Sequence, residues 1–289
     1  MRKCKKIAVL LMAACMTFAA CGKETADDTV SGNDVQVNTE QQENVEEKKT
    51  EPVLLFEDYF DGETLDSTKW ALCPEWGRQD GICQWRNDMV SLDGEGHLVL
   101  NAEWDAEAEK MYSGAVRTDD LFEQTYGYYE ASIKFPAVNG IWGAFWMMCG
   151  EVSAVDGTSV DGVEIDIIES AYGNKGEYNH AMHWDGYGDD HQKTAKTMRD
   201  NAIYDGEYHT FGFWWTEEEY IFYVDGVETW RTTAAGICNK PGYMKLTVEG
   251  ASWAGLTRFN AKKNLPAQML VDYVKVWDTN PYVEETVTE

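Results

Sequence analysis

The stretch Val163 to Ser170 reads V-E-I-D-I-I-E-S. Rich in isoleucine and valine, it reads as a buried strand. It nevertheless carries three carboxylates, Glu164, Asp166 and Glu169. Side chains alternate along a strand, so Glu164 and Asp166 share a face, and strict alternation puts Glu169 on the other. One extra residue, a β-bulge at Ile167–Ile168, shifts the phase and returns Glu169 to the side of the other two acids. Ile165 and one or both later isoleucines then anchor the strand in the core, and three acids line one surface. Like charges so close oppose each other's ionisation, so nothing in the cluster serves stability.

Two carboxyl groups about 5–5.5 Å apart are the apparatus of a retaining glycosidase. One, ionised, attacks the anomeric carbon, and the other, protonated, donates to the leaving oxygen. A third acid between them orients the nucleophile and tunes both. A calcium-binding or merely solvated acidic strand is the other reading that the octapeptide alone leaves open.

The surrounding chain, from Val53 to about Asp278, has the composition of an all-β domain. The whole chain holds 12 Trp, 15 Tyr and 10 Phe, residues that favour pleated surfaces. Alternating or buried runs recur around Leu98, Tyr128, Gly143, His209 and Tyr220 and from Met269, with turn signals at 93–96, 225–226 and 239–242 between them. Asp225–Gly226 is the expected turn of a hairpin. No βαβ alternation appears, so the expected architecture is a two-sheet antiparallel sandwich. Short helical turns are expected only near 64–70 or 194–203.

The E-I-D-I-I-E run resembles the bulged E-x-D-x-x-E signature of family 16 glycoside hydrolases, in the form found in laminarinases. The resemblance extends from Phe56 to Trp277. It includes the opening L-F-E-D-Y-F-D-G-E-T-L-D-S-T-K-W, the G-I-W-G-A-F-W-M-M strand, V-E-G-A-S-W-A-G and the closing V-D-Y-V-K-V-W. It implies a concanavalin A-like β-jelly-roll with a concave substrate groove, with Glu164 as nucleophile, Asp166 as assisting acid and Glu169 as general acid/base. Gly143 stands where many relatives carry proline, and Glu249 in a run that is usually apolar.

Sugar binding needs flat apolar faces and fixed polar groups. Trp142 and Trp146, four apart in a strand, share a face; core packing is the competing reading for either. By resemblance Trp146 lies close to the reaction centre and Trp253, in a loop-like stretch, is the groove tryptophan. His183 is assigned to hydroxyl or leaving-group contact near Glu169, against a structural role for it and His180. Asn87 resembles an asparagine on the non-reducing side of the cleft, and Arg86 beside it is a candidate reader of a substituent. The family pattern also implies a structural calcium held by Glu57, the Gly96 backbone and Asp272; catalysis itself needs no cofactor. Calcium takes six to eight oxygens, so these are a partial set.

Residues 1–20 form a basic, then apolar leader too short for a comfortable membrane span. F-A-A-C before Gly22 resembles a bacterial lipoprotein processing site, with Cys21 lipidated; an ordinary secretory peptide is the alternative. Residues 21–52 hold nine acids, three lysines and no aromatic residue, the composition of a flexible tether. A short acidic tail follows from 279. The formal net charge of −27 excludes nucleic acid as a partner and disfavours a highly sulfated glycan. Cys73, Cys83, Cys149 and Cys238 form no metal pattern, and their pairing is open.

The expectation is a lipid-anchored or secreted monomer on the outer face of a bacterial membrane that hydrolyses β-1,3- or β-1,3-1,4-glucan internally. A β-galactan hydrolase or transglycosylase on the same scaffold, and a non-catalytic glycan-binding lipoprotein, are the alternatives.

Overall fold

A computed structural model of the chain describes residues 51–77, 81–171, 176–199 and 202–283. The leader, Cys21, the tether as far as residue 50 and the tail from 284 lie outside the described residues.

Two sheets pack face to face. The larger runs in the order β15 (Val227–Thr232), β14 (Tyr220–Val224), β13 (His209–Trp215), β8 (Gly127–Lys134), β17 (Ala267–Trp277), β5 (Leu98–Asp105), β6 (Lys110–Ser113) and β3 (Cys83–Trp85). Beside this path β1 (Leu54–Asp58) pairs with β17, and β4 (Val90–Leu92) with β5. The smaller sheet runs β12 (Gln192–Arg199), β11 (Glu177–Trp184), β10 (Gly162–Ala171), β9 (Ile141–Gly150), β16 (Gly242–Gly250), β7 (Ala115–Arg117) and β2 (Ala71–Leu72). All pairings are antiparallel except β3 with β6, a parallel pair that the sequence reading did not contain.

The core fills the space between the sheets. Phe145 and Met147 of β9 and Ile165 and Ile168 of β10 pack in one cluster with Phe211, Phe213 and Phe222 of the other sheet. Each such side chain contributes roughly 1.5–3 kcal/mol by leaving water. The hairpin at Asp225–Gly226 forms as expected, with φ of 50° and 74° at the two turn residues. Asp225 Oδ1 ties the turn to β13 by accepting from the Thr210 amide.

Local structure departs from expectation in two places. Residues 192–199 are an edge strand, and a turn of 3-10 helix comes later, at Ala202–Tyr204. The α-helix lies instead at Arg258–Asn264 (α1), where Thr257 and Asn260 form a reciprocal capping box. Residues 64–70 make a turn on Asp66. Cys73, Cys83, Cys149 and Cys238 are buried, and no disulfide joins any two of them.

Candidate active site

The bulge is in β10. Against β9, Asp166 pairs with Trp146 but Ile168 with Phe145, so Ile167 is the extra residue. Against β11, Asp166 pairs with Ala181 and Glu169 with Asn179, the same one-residue slip. Ile167 and Ile168 are both fully buried. Consequently Glu164, Asp166 and Glu169 stand opposite Met148, Trp146 and Ala144, alternate residues of β9 that share one face.

That face floors a cavity of about 650 Å³. Glu164, Asp166, Trp142, Ala144, Trp146 and Met148 line it from the two central strands. Lys245, Thr247 and Glu249 of β16 extend the floor, and Trp76, Trp85, Tyr187 and Trp253 form its sides. Glu169 lies beside Ala144, buried, and accepts a hydrogen bond from the Asn179 amide. Glu164 accepts from the Tyr187 hydroxyl.

Asp166, 4% exposed, is held well above the usual carboxylate range. Burial is the main cause, followed by the charges of Glu169 and Glu164; Lys245 opposes them weakly. Its Oδ2 lies 3.4 Å from His183 Nε2. His183 Nδ1 is 2.8 Å from His191 Nε2, and the two rings stack with centroids 5.0 Å apart. Burial, with the neighbouring charges of His191 and Lys193, lowers His183 to about 4. A carboxyl held toward its protonated form thus faces an imidazole held toward its neutral form.

The expected position of His183 beside Glu169 is not what the structure shows. Antiparallel pairing puts His183 opposite Glu164, and the side chain that reaches Glu169 is Asn179. Trp142 and Trp146 do share the cavity face. Lys245 Nζ, however, lies 3.7 Å from the centroid of the Trp146 ring and 5.0 Å from that of Trp85, so Trp146 does not offer that face bare. Trp146 Nε1 donates to Thr247 Oγ1, which fixes the ring. Trp253 is 43% exposed and packs edge-on against Trp142 at 4.7 Å. Arg86 is committed elsewhere: it forms a fork with Asp88 and lies 4.4 Å over the Tyr112 ring. Neither Arg86 nor the exposed Asn87 is in the cavity wall, which receives their neighbour Trp85 instead.

Tyr187, Asn179, Lys245 and Thr247 are site residues that the sequence reading missed. For β16 a signal was present: Lys245, Thr247 and Glu249 alternate with Leu246 and Val248, the pattern of a strand with one polar face. Burial depresses the Lys245 ammonium, while Cys73, Glu249 and Glu164 hold it up. Gly143 also finds its reason. Its N–H donates to Ser170 Oγ and its carbonyl accepts from the same hydroxyl, so a proline would forfeit one bond, and an added Cβ would lie 2.8 Å from the Phe135 ring.

On the opposite sheet, β1 and the loop after β4 approach the end of β17. A Cβ at Gly96 would lie 3.2 Å from Asp61 Oδ1 and 3.6 Å from the Tyr59 carbonyl. Asp272 falls at a register shift in β17. Glu57 and Asp272 are carboxylates and Gly96 offers a backbone carbonyl, oxygen donors of the kind that calcium takes.

With this geometry in hand, similarity to known proteins is informative. The family model described as β-porphyranase A–D, GH16 domain, matches residues 51–279. The chain belongs to glycoside hydrolase family 16. Among GH16 relatives, glucan endo-1,3-β-glucosidase A1 of Niallia circulans is 27% identical over 259 residues, which is 78% of this chain and 37% of that protein. The chain thus spans little more than a third of that glucanase. Keratan-sulfate endo-1,4-β-galactosidase of Sphingobacterium multivorum is 28% identical over 96% of this chain and 68% of its own length. The solved GH16 enzyme of a Bacteroides ovatus mixed-linkage glucan locus, in complex with a G4G4G3G product, superposes with a TM-score of 0.64 at 25% identity. That match covers 77% of this chain and 99% of the other. The GH16 jelly roll expected from the sequence is the fold observed.

Proposed function

We propose that this GH16 protein is an endo-acting, retaining β-glycan hydrolase whose substrate is a β-1,3- or β-1,3-1,4-glucan. The observation that carries the reading is the bulge at Ile167, which sets Glu164, Asp166 and Glu169 of one strand opposite alternate residues of β9, with Glu164 and Asp166 on the floor of a tryptophan-lined cavity. In this reading Glu164, oriented by Tyr187, attacks the anomeric carbon. Glu169, held by Asn179, protonates the leaving oxygen and later deprotonates the incoming water. Asp166, held well above the usual carboxylate range by burial and by the acids on either side, stands between the nucleophile and the acid/base. Trp253 and Trp142 supply faces for sugar rings, and Lys245 and Thr247 supply polar contacts to hydroxyls.

A β-galactan is the second reading, supported by the porphyranase description of the matching family model and by the buried Glu249 carboxylate in the cavity wall. Reducing-sugar release from laminarin, lichenan, agarose and galactan separates the two. The expected result is activity on laminarin or lichenan. Activity confined to agarose or galactan favours the second reading, and binding to any of them without hydrolysis overturns both.

Two further proposals concern parts away from the cleft. Glu57, the Gly96 backbone and Asp272 hold a calcium ion whose role is to pin β1 to the end of β17. Cys21 carries the lipid that tethers the enzyme to the outer face of the membrane, where the polysaccharide is met; Cys21→Ser then releases the protein from the membrane fraction.

A further inference from the structure

His180 sits on the strand opposite the bulge, between Ala181 and Asn179, which pair with Asp166 and Glu169. Its side chain points away from the cavity and is fully buried between the two sheets. Nδ1 lies 2.5 Å from the carbonyl of Ile167, the extra residue of β10. Nε2 lies 2.8 Å from Thr229 Oγ1. Thr229 is itself the extra residue of a second bulge: Phe222 pairs with Trp230 but Tyr223 with Glu228. Thr229 Oγ1 is also 3.1 Å from the Phe222 carbonyl. The imidazole is stacked at 12° on Trp230 and lies 5.0 Å from the Phe222 ring, the cross-strand pair that flanks this second bulge. One buried side chain thus joins a bulge in each sheet.

A bulge leaves ladder groups without their regular partners, and a buried carbonyl without a donor costs about 1–3 kcal/mol. Carbonyls only accept, so the proton of a neutral imidazole is on Nδ1, and the one Thr229 hydroxyl proton is shared between Nε2 and the Phe222 carbonyl. Burial lowers His180 to about 4, which keeps that tautomer neutral at working pH. The Ile167 carbonyl is one residue past Asp166 and two before Glu169. Whatever fixes it fixes the phase of Glu169 relative to Glu164.

We infer that His180 is a positioning residue: its Nδ1–H holds the Ile167 bulge and thereby places Glu169, the general acid/base, while leaving Glu164 in place. This rests on the hydrolase reading above for its kinetic consequences, but not for the bulge itself. It touches no substrate, and its effect is selective, because Glu164 lies before the bulge and Glu169 after it.

The test compares His180→Gln with His180→Asn in the full chain. Glutamine extends an amide to the Nε2 position and leaves Ile167 without its donor; asparagine places an amide nitrogen near Nδ1 and restores it. Each is assayed on the polysaccharide that the wild type cleaves and on the corresponding oligosaccharide 2,4-dinitrophenyl β-glycoside with azide present. The dinitrophenolate leaves without protonation and azide attacks without a base, so the second assay bypasses Glu169. His180→Gln is expected to lose about 100-fold or more in kcat on polysaccharide, within the range of general acid–base catalysis, with KM within about twofold. It should stay within about threefold of wild type on the aryl glycoside, and His180→Asn should recover most polysaccharide activity. Equal loss on both substrates, or an unaffected His180→Gln, overturns the inference. Thr229→Val, at a half-buried edge position, carries the same selectivity test in smaller measure should His180→Gln not fold. Amide hydrogen exchange at Ile168 and Glu169 reads the bulge without any substrate: about 10-fold faster exchange in His180→Gln is expected, and unchanged exchange contradicts the role. A wild type inactive on every glycan sinks the hydrolase reading alone and leaves the exchange result to decide this one.

Discussion

The phenol hydroxyl of Tyr187 donates a hydrogen bond to the carboxylate of Glu164. Tyr187 reaches it from the loop after β11, and that loop is tied down by Asp185. Asp185 accepts from the Asp156 and Gly157 amides and from the Gln192 side chain. A donor on a carboxylate favours the ionised form, and an attacking carboxylate must be ionised. Tyr187→Phe should therefore lower kcat/KM by about 10-fold, the value of roughly 1.4 kcal/mol from one charge-assisted bond. The acid limb of its pH profile should move to higher pH. An unchanged acid limb would remove Tyr187 from this role.

The pair Asp166 and His183 makes opposite contributions to stability as pH changes. His183 is depressed from 6.5 to about 4, so its contribution is complete above pH 6.5 and is lost as pH falls toward 4. At 1.36 kcal/mol per unit this is on the order of 3 kcal/mol at most. Asp166 is raised, so the folded state binds its proton more tightly than the unfolded chain, and stability declines as pH rises above about 3.8. His183→Asn should flatten the loss of melting temperature between pH 6.5 and 4. Asp166→Asn should raise the melting temperature at pH 8 more than at pH 4, while reducing activity less than either glutamate substitution. A Tm gain for Asp166→Asn that is the same at both pH values would show that burial does not load this carboxyl with a proton.

Much of this was legible in eight residues. The run of Val163, Ile165, Ile167 and Ile168 announced a buried strand, and the acid spacing required a bulge, because no unbulged strand puts Glu164 and Glu169 on one face. The partners of those acids were not legible. Asn179 and His183 differ in role only through the register of β11 on β10, which the connection between these consecutive strands sets. Lys245 comes from a strand paired to the other side of β9, and Tyr187 from a loop whose path depends on the Asp185 turn. The polar alternation of Lys245, Thr247 and Glu249 announced a cleft face without saying which cleft. Arg86 shows the converse: a conspicuous cation in the sequence is claimed by Asp88 two residues away.

Deleting one of the two isoleucines at 167–168 removes the bulge and yields an unbulged E-x-D-x-E spacing. Ser170 currently holds the Gly143 amide, and Glu169 stands opposite Ala144. Without the extra residue the pairs with Trp146, Phe145 and Ala144 can form an unbulged ladder, so Glu169 keeps its face but the backbone between Asp166 and Glu169 is one residue shorter. That shift moves the Glu169 carboxyl relative to Glu164, so turnover on any glycan should fall below a thousandth of wild type. Retained activity would show that the strand, and not its bulge, sets the site.

Calcium removal tests the opposite face. If Glu57, Gly96 and Asp272 hold the ion, a chelator should lower the melting temperature by several degrees, and added calcium should restore it with little change in KM. Asp272→Asn should reduce the chelator effect. A melting curve indifferent to both chelator and calcium would leave the three segments held by their own contacts alone.

The central claim is that one bulged strand brings a nucleophile and an acid/base to the same cleft, close enough to exclude water from the first step. Stereochemistry reads this directly. Proton NMR in the first minutes of hydrolysis, before mutarotation, records the anomer of the new reducing end. Double displacement through Glu164 predicts the β-anomer first from a β-linked glycan, with Glu164→Gln abolishing its appearance. An initial α-anomer would mean direct attack by water, carboxyl groups held further apart, and a different division of labour between Glu164 and Glu169.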